Sequence, residues 1–73
     1  MYNINALIDT IKENVEKAIK NPENINENGT INWNFVDSDA YCATVDNPAF
    51  HVVFVENHFY DHFDSICDEV VGI

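Results

Sequence analysis

Basic residues are absent from most of this chain. Residues 21–73 contain ten carboxylates but no Lys or Arg, and all three lysines lie earlier, at Lys12, Lys17 and Lys20. The formal net charge of -10 therefore belongs entirely to the later part of the chain. Most domains intersperse both signs, because uncompensated like charge opposes compaction. Such a surface repels DNA, RNA and anionic membranes, which excludes them as direct ligands and favours cationic partners.

Cysteine, glycine and proline are also scarce, at two residues each in a chain of 73. Cys42 and Cys67 lack the C-x-x-C spacing of a metal or redox pair, so we expect reduced, buried thiols. No apolar run approaches the roughly 18 residues of a membrane span, and the N-terminus lacks the apolar core of a signal peptide. The composition predicts a cytoplasmic protein with one domain over residues 1–73, small enough for a homodimer to add support.

The first segment has the apolar spacing of an amphipathic helix. Over residues 3–21 the apolar side chains fall within about 120° of arc at 100° per residue. Asn3 or Asn5 can cap the start, Pro22 stops the helix, and the polar stretch 22–30 predicts a loop. The presence of lysines in this segment is consistent with a helix, because favourable i,i+4 ion pairs can form on it. These pairs are Glu13 with Lys17 and Glu16 with Lys20.

Three short segments after residue 30 alternate apolar and polar residues. They cover residues 31–36, 40–45 and 50–55, and turn-forming residues separate them at 37–39 and 46–48. A period of two is typical of strands, so we predict a three-stranded antiparallel meander. The alternation assigns these side chains to the core: Ile31, Trp33, Phe35, Tyr41, Ala43, Val45, Phe50, Val52 and Phe54.

The last segment, residues 57–71, returns to helical spacing, with Asn57 as a suitable N-cap. Its apolar stripe consists of Phe59, Phe63, Ile66 and Val70. Both helices must bury a stripe, and a small twisted sheet offers the surface. We therefore predict a two-layer α+β fold in the order helix, three-stranded antiparallel meander, C-terminal helix (αβββα).

Three carboxylates form a ridge on the final helix. Asp61, Asp64 and Asp68 lie within about 60° of one another, opposite the apolar stripe. Their axial separations are about 4.5 and 6 Å at ~1.5 Å per residue, of the same order as the ~3.4 Å between phosphates along a DNA strand. The alternative is that these carboxylates only form a solvated helix face. That alternative is less favoured here than on an ordinary helix, because residues 21–73 contain no Lys or Arg among their carboxylates. We predict this partner-binding set: Asp37, Asp39, Asp46, Tyr60, Asp61, Asp64 and Asp68.

A histidine pair on the same helix is the main candidate for metal chemistry. His58 and His62 are spaced i,i+4 and can chelate an ion from one helix face, but a zinc site needs three or four ligands. Position 59 is Phe, so the H-E-x-x-H motif and its general base are missing. We expect no metal and no cofactor at this pair. Neighbouring carboxylates favour protonated imidazoles, which makes the histidines pH-sensitive.

No arrangement of residues indicates catalysis. Cys42 and Cys67 fit core packing, and neither a carboxylate-oriented histidine nor a Gly-rich oxyanion turn accompanies them. The sequence therefore predicts a protein that is not an enzyme.

As a charge pattern, residues 21–73 resemble the small acidic DNA-mimic inhibitors that bacteriophages and mobile elements encode against host defences, anti-CRISPR and anti-restriction proteins among them. The resemblance implies a non-enzymatic inhibitor that docks its acidic face onto the nucleic-acid groove of a basic host protein, in the host cytoplasm. It matches no residue-level motif, so it transfers no functional residue.

A second interpretation is a small acidic protein-protein interaction or dimerisation module without nucleic-acid mimicry. In that case the charge mainly provides solubility. It predicts an interface formed by these apolar residues: Val53, Val55, Val70, Val71 and Ile73.

Overall fold

The computed structural model describes residues 2–72 as three α-helices joined by short connections. The helices are α1 (Ile4–Ile19), α2 (Trp33–Val45) and α3 (Val52–Val71), and a 3-10 helix, Pro22–Asn24, follows α1. Over these described residues, β structure is limited to one antiparallel bridge between Ile25 and Ile31. The predicted α+β fold, αβββα, is therefore wrong, and the described chain is an all-helical bundle.

Helix α1 forms as the apolar spacing predicts. The side chain of Asn3 caps it by accepting a hydrogen bond from the backbone N–H of Asn5 at 2.9 Å. The helix ends at Ile19, shortly before Pro22 begins the 3-10 helix. The buried stripe of α1 consists of Leu7, Ile11, Val15 and Ala18.

Helix α2 replaces the first two predicted strands and the turn between them. Asn32 caps it, since its side chain accepts from the N–H of Phe35 at 3.4 Å. Val36, Ala40 and Thr44 then recur every four residues and are all buried. Alternation over six residues is a weak signal, because strand propensity depends on packing and helices in proteins are stabilised mainly by tertiary contacts. Residues 37–39, predicted as a turn, lie inside this helix.

The helical geometry of α2 also overturns part of the predicted core. Trp33 is 37% exposed and Phe35 is 54% exposed. Successive positions on a helix are rotated by 100°, so two residues that share one face of a strand lie on different sides of a helix. Val36, which the alternation left out of the core, is fully buried.

Helix α3 begins five residues earlier than the sequence predicts. Its N-cap is His51, whose Nδ1 accepts from the N–H of Val53 at 3.2 Å, and Asn57 lies inside the helix. The predicted third strand, residues 50–55, is therefore wrong. Its first residue lies in a bend, its second is the cap, and the remaining four form the first turn of α3, where Val52 and Val53 are exposed. The predicted stripe packs inward: Phe59, Phe63 and Ile66 are buried, and Val70 is partly buried. Val55 and Cys67 extend it.

Helices α1 and α3 run in the same direction. The rings of Tyr2 and Phe54, near the two helix starts, lie 5.0 Å apart between centroids. Towards the far end of α3, the Nζ of Lys12 lies 2.8 Å from Oε1 of Glu69. Helix α1 packs against both other helices and so forms the middle of the bundle.

Helix α2 runs antiparallel to α3. Its later part packs on the middle of α3, where the rings of Tyr41 and Phe59 meet edge to face at 5.2 Å. Its first residue, Trp33, lies beside Cys67 and Val71 near the end of α3. Contact between α2 and α3 is the least extensive of the three helix pairings, and an open groove lies between them at this end. Within residues 2–72, none of the helices has the length and apolar character needed to cross a membrane.

Candidate functional site

The three predicted ridge residues lie on the solvent side of α3. Asp61, Asp64 and Asp68 are all exposed, and the opposite side of the helix carries the buried stripe. Their carboxylates therefore project from a 20-residue helix that the core holds in place. This rigidity matters for recognition, because ordered charges lose less conformational entropy on binding.

Asp37 joins this ridge from the neighbouring helix. Its negative charge acts on the Tyr60 hydroxyl, and it also adds to the negative field at Cys67. Burial, followed by the charges of Asp64, Asp68 and Asp37, raises the pKa of the Cys67 thiol to about 11. We call Asp37, Asp61, Asp64 and Asp68 the acidic face.

One oxygen of Asp37 is incompletely satisfied. Its Oδ1 is buried and has no hydrogen-bond partner among residues 2–72. A buried polar atom without a partner costs free energy, so native structures retain few of them. Keeping this buried acceptor without a partner therefore costs the fold some stability.

Two other predicted carboxylates do not join the acidic face. Asp39 faces the first connection, where its Oδ2 accepts a hydrogen bond from Nδ2 of Asn24 at 2.8 Å. Asp46 is the C-cap of α2, at the end of that helix remote from Trp33. The sequence assigns these carboxylates to the partner-binding set if they lie at the same edge as the ridge. Asp37 lies near the ridge, whereas Asp39 and Asp46 lie elsewhere.

The sequence places Tyr60 at the edge of the apolar stripe of the last helix, and in the structure it also borders the acidic face. It is 59% exposed, and its ring stacks on Tyr41 at a centroid distance of 6.3 Å. Burial of part of the side chain, together with the adjacent Asp37 carboxylate, raises the pKa of Tyr60 above the ordinary tyrosine value. An aromatic ring with an exposed face beside carboxylates suits an interface.

A groove of about 430 Å³ opens beside the acidic face. It lies between the start of α2 and the end of α3, and its lining consists of Trp33, Phe63, Asp64, Cys67, Asp68 and Val71. Sequence reasoning assigned Trp33 to the core and so missed this groove. The available signal was Asn32, a good N-cap directly before Trp33, which places the indole in the first helical turn.

The lysines pair with carboxylates outside the acidic face. Lys17 contacts Glu13 at 3.1 Å, as predicted. Lys12 instead joins α1 to Glu69 of α3, and this hydrogen-bonded pairing raises the pKa of Lys12. That contact joins residues 57 positions apart, so no local pattern predicts it. The predicted Glu16 to Lys20 pair is not among the ion pairs of the described residues. Over residues 2–72, no lysine forms an ion pair with the acidic face.

The histidine pair has few contacts. Nδ1 of His58 lies 4.0 Å from Oδ2 of Asp61, and its ring packs 4.9 Å from that of Phe54. His62 is half-buried one turn later. In the part of the chain that the structure describes, no three His, Cys, Asp or Glu side chains are placed to hold one metal ion.

The cysteines differ from each other. Both are free thiols, but Cys42 is exposed and Cys67 is buried. The prediction of buried thiols is therefore wrong for Cys42, because position 42 was assigned to a strand and lies instead on the solvent side of α2.

Comparisons with known proteins identify no relative of this chain. The chain gives no match to a protein-family model and no significant match to a curated protein or a solved structure. Any functional conclusion therefore depends on the charges, contacts and exposed side chains described above.

Proposed function

We propose that this protein is a non-enzymatic inhibitor that presents its acidic face to a basic nucleic-acid-binding protein of a host cell, in the cytoplasm. The observation that carries the proposal is the grouping of Asp37, Asp61, Asp64 and Asp68 on adjacent helices, with no lysine paired to any of them within residues 2–72. Such a surface costs stability through self-repulsion, which a cationic partner relieves.

The spacing of the ridge supports mimicry of a phosphate backbone. Axial steps of about 4.5 and 6 Å between ridge carboxylates follow from ~1.5 Å of rise per residue. Phosphates along one DNA strand are separated by ~3.4 Å of helix axis, so Lys and Arg side chains spaced for phosphates can reach the carboxylates. Long-range attraction between opposite charges also accelerates the encounter and makes it sensitive to salt.

Exposed aromatic side chains beside the acidic face supply the other part of an interface. Trp33 and Tyr60 border it, and both are exposed, at 37% and 59%. Trp, Tyr and Arg dominate the energetics of protein interfaces, whereas rim charges mainly affect the association rate. Charge and aromatic area together favour binding to a protein over simple solubility.

A protein of this kind would be a DNA-mimic inhibitor like those of phages and mobile elements. Anti-CRISPR and anti-restriction proteins are examples of that class. The support is a shared physical pattern, namely small size, dense carboxylates and few cations. The target would be a host protein whose function requires it to bind nucleic acid.

The experiment that tests the proposal is capture of a partner from a bacterial lysate, with and without nuclease treatment, followed by competition. A basic protein that is captured more strongly after nuclease treatment, and released by excess duplex or guide RNA, supports it. A partner that stays bound in the presence of saturating nucleic acid contradicts it.

A second candidate function, a dimerisation module, is favoured by one observation. Val52 and Val53 are adjacent on the first turn of α3 and are both about half exposed, at 46% and 54%. Of the residues predicted for such an interface, Val55 is instead buried within the protomer, Val70 and Val71 are half-buried, and Ile73 lies outside the described residues. Mass measurement in solution at two salt concentrations distinguishes a stable dimer from a monomer.

A further inference from the structure

The groove beside the acidic face combines two kinds of surface. Asp64 and Asp68 supply carboxylates, and the indole of Trp33, 37% exposed, supplies an aromatic surface. Phe63 and Val71 add apolar area. A purely apolar ligand would leave the two carboxylates desolvated, and a small hydrated cation would leave the indole unused. The lining therefore suits a ligand that is both cationic and flat.

The carboxylates around this groove lack compensating charge. Asp64 and Asp68 are an i,i+4 pair of like charge, which is unfavourable on a helix. Asp37 lies one helical turn after Trp33, hence on the same side of α2, and its buried Oδ1 has no partner among the described residues. Asp64 and Asp68 thus place two charged hydrogen-bond acceptors in the groove with Trp33, and Asp37 adds to the negative field there.

A guanidinium group fits this combination better than an ammonium. Its five N–H donors are held in a planar fork that can serve two carboxylates, it stacks on aromatic faces, and it is weakly hydrated. Trp is the most favourable ring for a cation–π contact. A lysine ammonium is a compact, strongly hydrated charge that gains less from the indole.

We propose that this groove binds an arginine side chain of the partner protein, with the guanidinium stacked on Trp33 and donating hydrogen bonds to Asp64 and Asp68. The inference rests on the proposed function and names the partner group that its acidic face recognises. The remaining arginines and lysines of the partner lie along Asp37 and Asp61.

The test uses Trp33 as its own reporter, because it is the only tryptophan in the chain. The probe is a peptide of alternating Gly and Arg, compared with versions in which Lys or the neutral isostere citrulline replaces Arg. We expect the Arg peptide to change Trp33 emission and to bind about tenfold more tightly than the Lys peptide, with no response to citrulline.

A matched pair of variants separates the groove from net charge. Asp64→Asn with Asp68→Asn should weaken the Arg peptide by about tenfold or more, because the fork loses both acceptors. Glu23→Gln with Glu27→Gln removes the same charge from the exposed first connection and should weaken it by no more than about twofold. Circular dichroism checks that both variants remain helical.

Several outcomes overturn the inference. Equal weakening by both variant pairs would show that only net charge matters. Equal affinity for the Arg and Lys peptides, or no change in Trp33 emission on binding, would remove the guanidinium from the groove. Emission that changes with the concentration of the protein alone would assign the groove to a second copy of this chain.

The two proposals fail in different experiments. If a captured nucleic-acid-binding partner competes with duplex but leaves Trp33 emission unchanged, the arginine site is wrong and the proposed function stands. If Arg peptides bind at Trp33 but every captured partner is indifferent to nucleic acid, the groove stands and the proposed function is wrong.

Discussion

Burial, and then the Asp37 carboxylate on α2, raise the pKa of Tyr60 on α3, while the Oδ1 of Asp37 is itself buried with no hydrogen-bond partner in residues 2–72. Asp64 and Asp68 lie close enough to share the same field at Cys67. An acceptor of this kind lowers the stability of the isolated protein. The acidic face therefore costs the isolated protein some stability, and the cationic partner proposed above would relieve the repulsion among its carboxylates.

Replacing Asp37 should separate stability from function. We expect Asp37→Asn to raise the free energy of unfolding by about 1 kcal/mol, since it removes a negative charge that lies near the like charges of Asp64 and Asp68. Denaturant unfolding measures the change. Asp39→Asn removes the same charge from a carboxylate that accepts from Asn24 and should bring no gain, so an equal gain in both variants would contradict this account of Asp37.

A proline at position 38 distinguishes the observed helix from the turn that the sequence suggests. Ser38 lies inside α2 and is exposed. Ser38→Pro should destabilise the protein by about 3 kcal/mol or more, because proline removes a helical hydrogen bond and clashes with the preceding turn. Thermal unfolding measures the loss, with Ser38→Ala as the control. If the Ser38→Pro variant were as stable as Ser38→Ala, residues 37–39 would form the turn that the sequence predicts and not part of a helix.

Asn24 joins the end of α1 to α2. It is 3% exposed, and its Nδ2 donates to the carbonyl of Ala18 at 2.9 Å and to Oδ2 of Asp39 at 2.8 Å. We expect Asn24→Ala to cost about 2 kcal/mol in unfolding free energy, because two acceptors lose their donor. Asn26→Ala is the comparison, since Asn26 bonds only within its exposed turn. Equal losses would show that Asn24 does not tie the helices together.

The Cys67 thiol predicts a loss of stability in alkali. Its pKa is raised from the ordinary 9.0 to about 11 in the folded protein, mainly by burial. As pH rises above 9, the unfolded chain releases this proton first, so stability falls between the two pKa values, by roughly 1 kcal/mol at pH 10. The raised pKa values of Lys12, Tyr41 and Tyr60 act in the same direction.

Urea unfolding at pH 8 and pH 10 isolates the part due to Cys67. The alkaline loss should shrink in Cys67→Val, which has no ionisable group, and should persist in Cys42→Ser, because that thiol is exposed. The contrary result, an unchanged alkaline loss in Cys67→Val, would show that Cys67 ionises normally in the fold.

The fold could be predicted where one periodic pattern runs without interruption. Helix α1 has a continuous apolar stripe and a capping Asn3, and both the pattern and the cap are confirmed. Helix α2 has apolar side chains on several sides, so short runs within it alternate as strands do. Val52, Val53 and Val55 have high strand propensity, but burial of Val55 and Phe59 one helical turn apart, with a cap at His51, places them on α3.

Part of the candidate site could also be predicted from the sequence, and part could not. The relation of Asp61, Asp64 and Asp68 follows from spacing along one helix, so the sequence suffices to place them together. The addition of Asp37 and Trp33 depends on α2 being helical and on its antiparallel packing against α3. A single sequence shows neither condition, because residues 31–45 contain both short alternating runs, which indicate strands, and a capping Asn32, which indicates a helix.

If the acidic face replaces nucleic acid on a basic protein, as proposed, this protein should displace a duplex from its partner by means of the ridge carboxylates. The direct test measures displacement of labelled duplex from the captured partner by wild type and by Asp61→Lys, Asp64→Lys, Asp68→Lys. The control reverses three exposed carboxylates outside the face, at Asp9, Glu23 and Glu27, with the same change in net charge.

Wild type and the control variant should displace the duplex. Reversal of the three ridge carboxylates should weaken displacement by about a hundredfold or more, because close charge pairs at interfaces each contribute more than ~1.5 kcal/mol. Thermal unfolding confirms that each variant is folded. Equal displacement by the ridge and control variants would contradict the account.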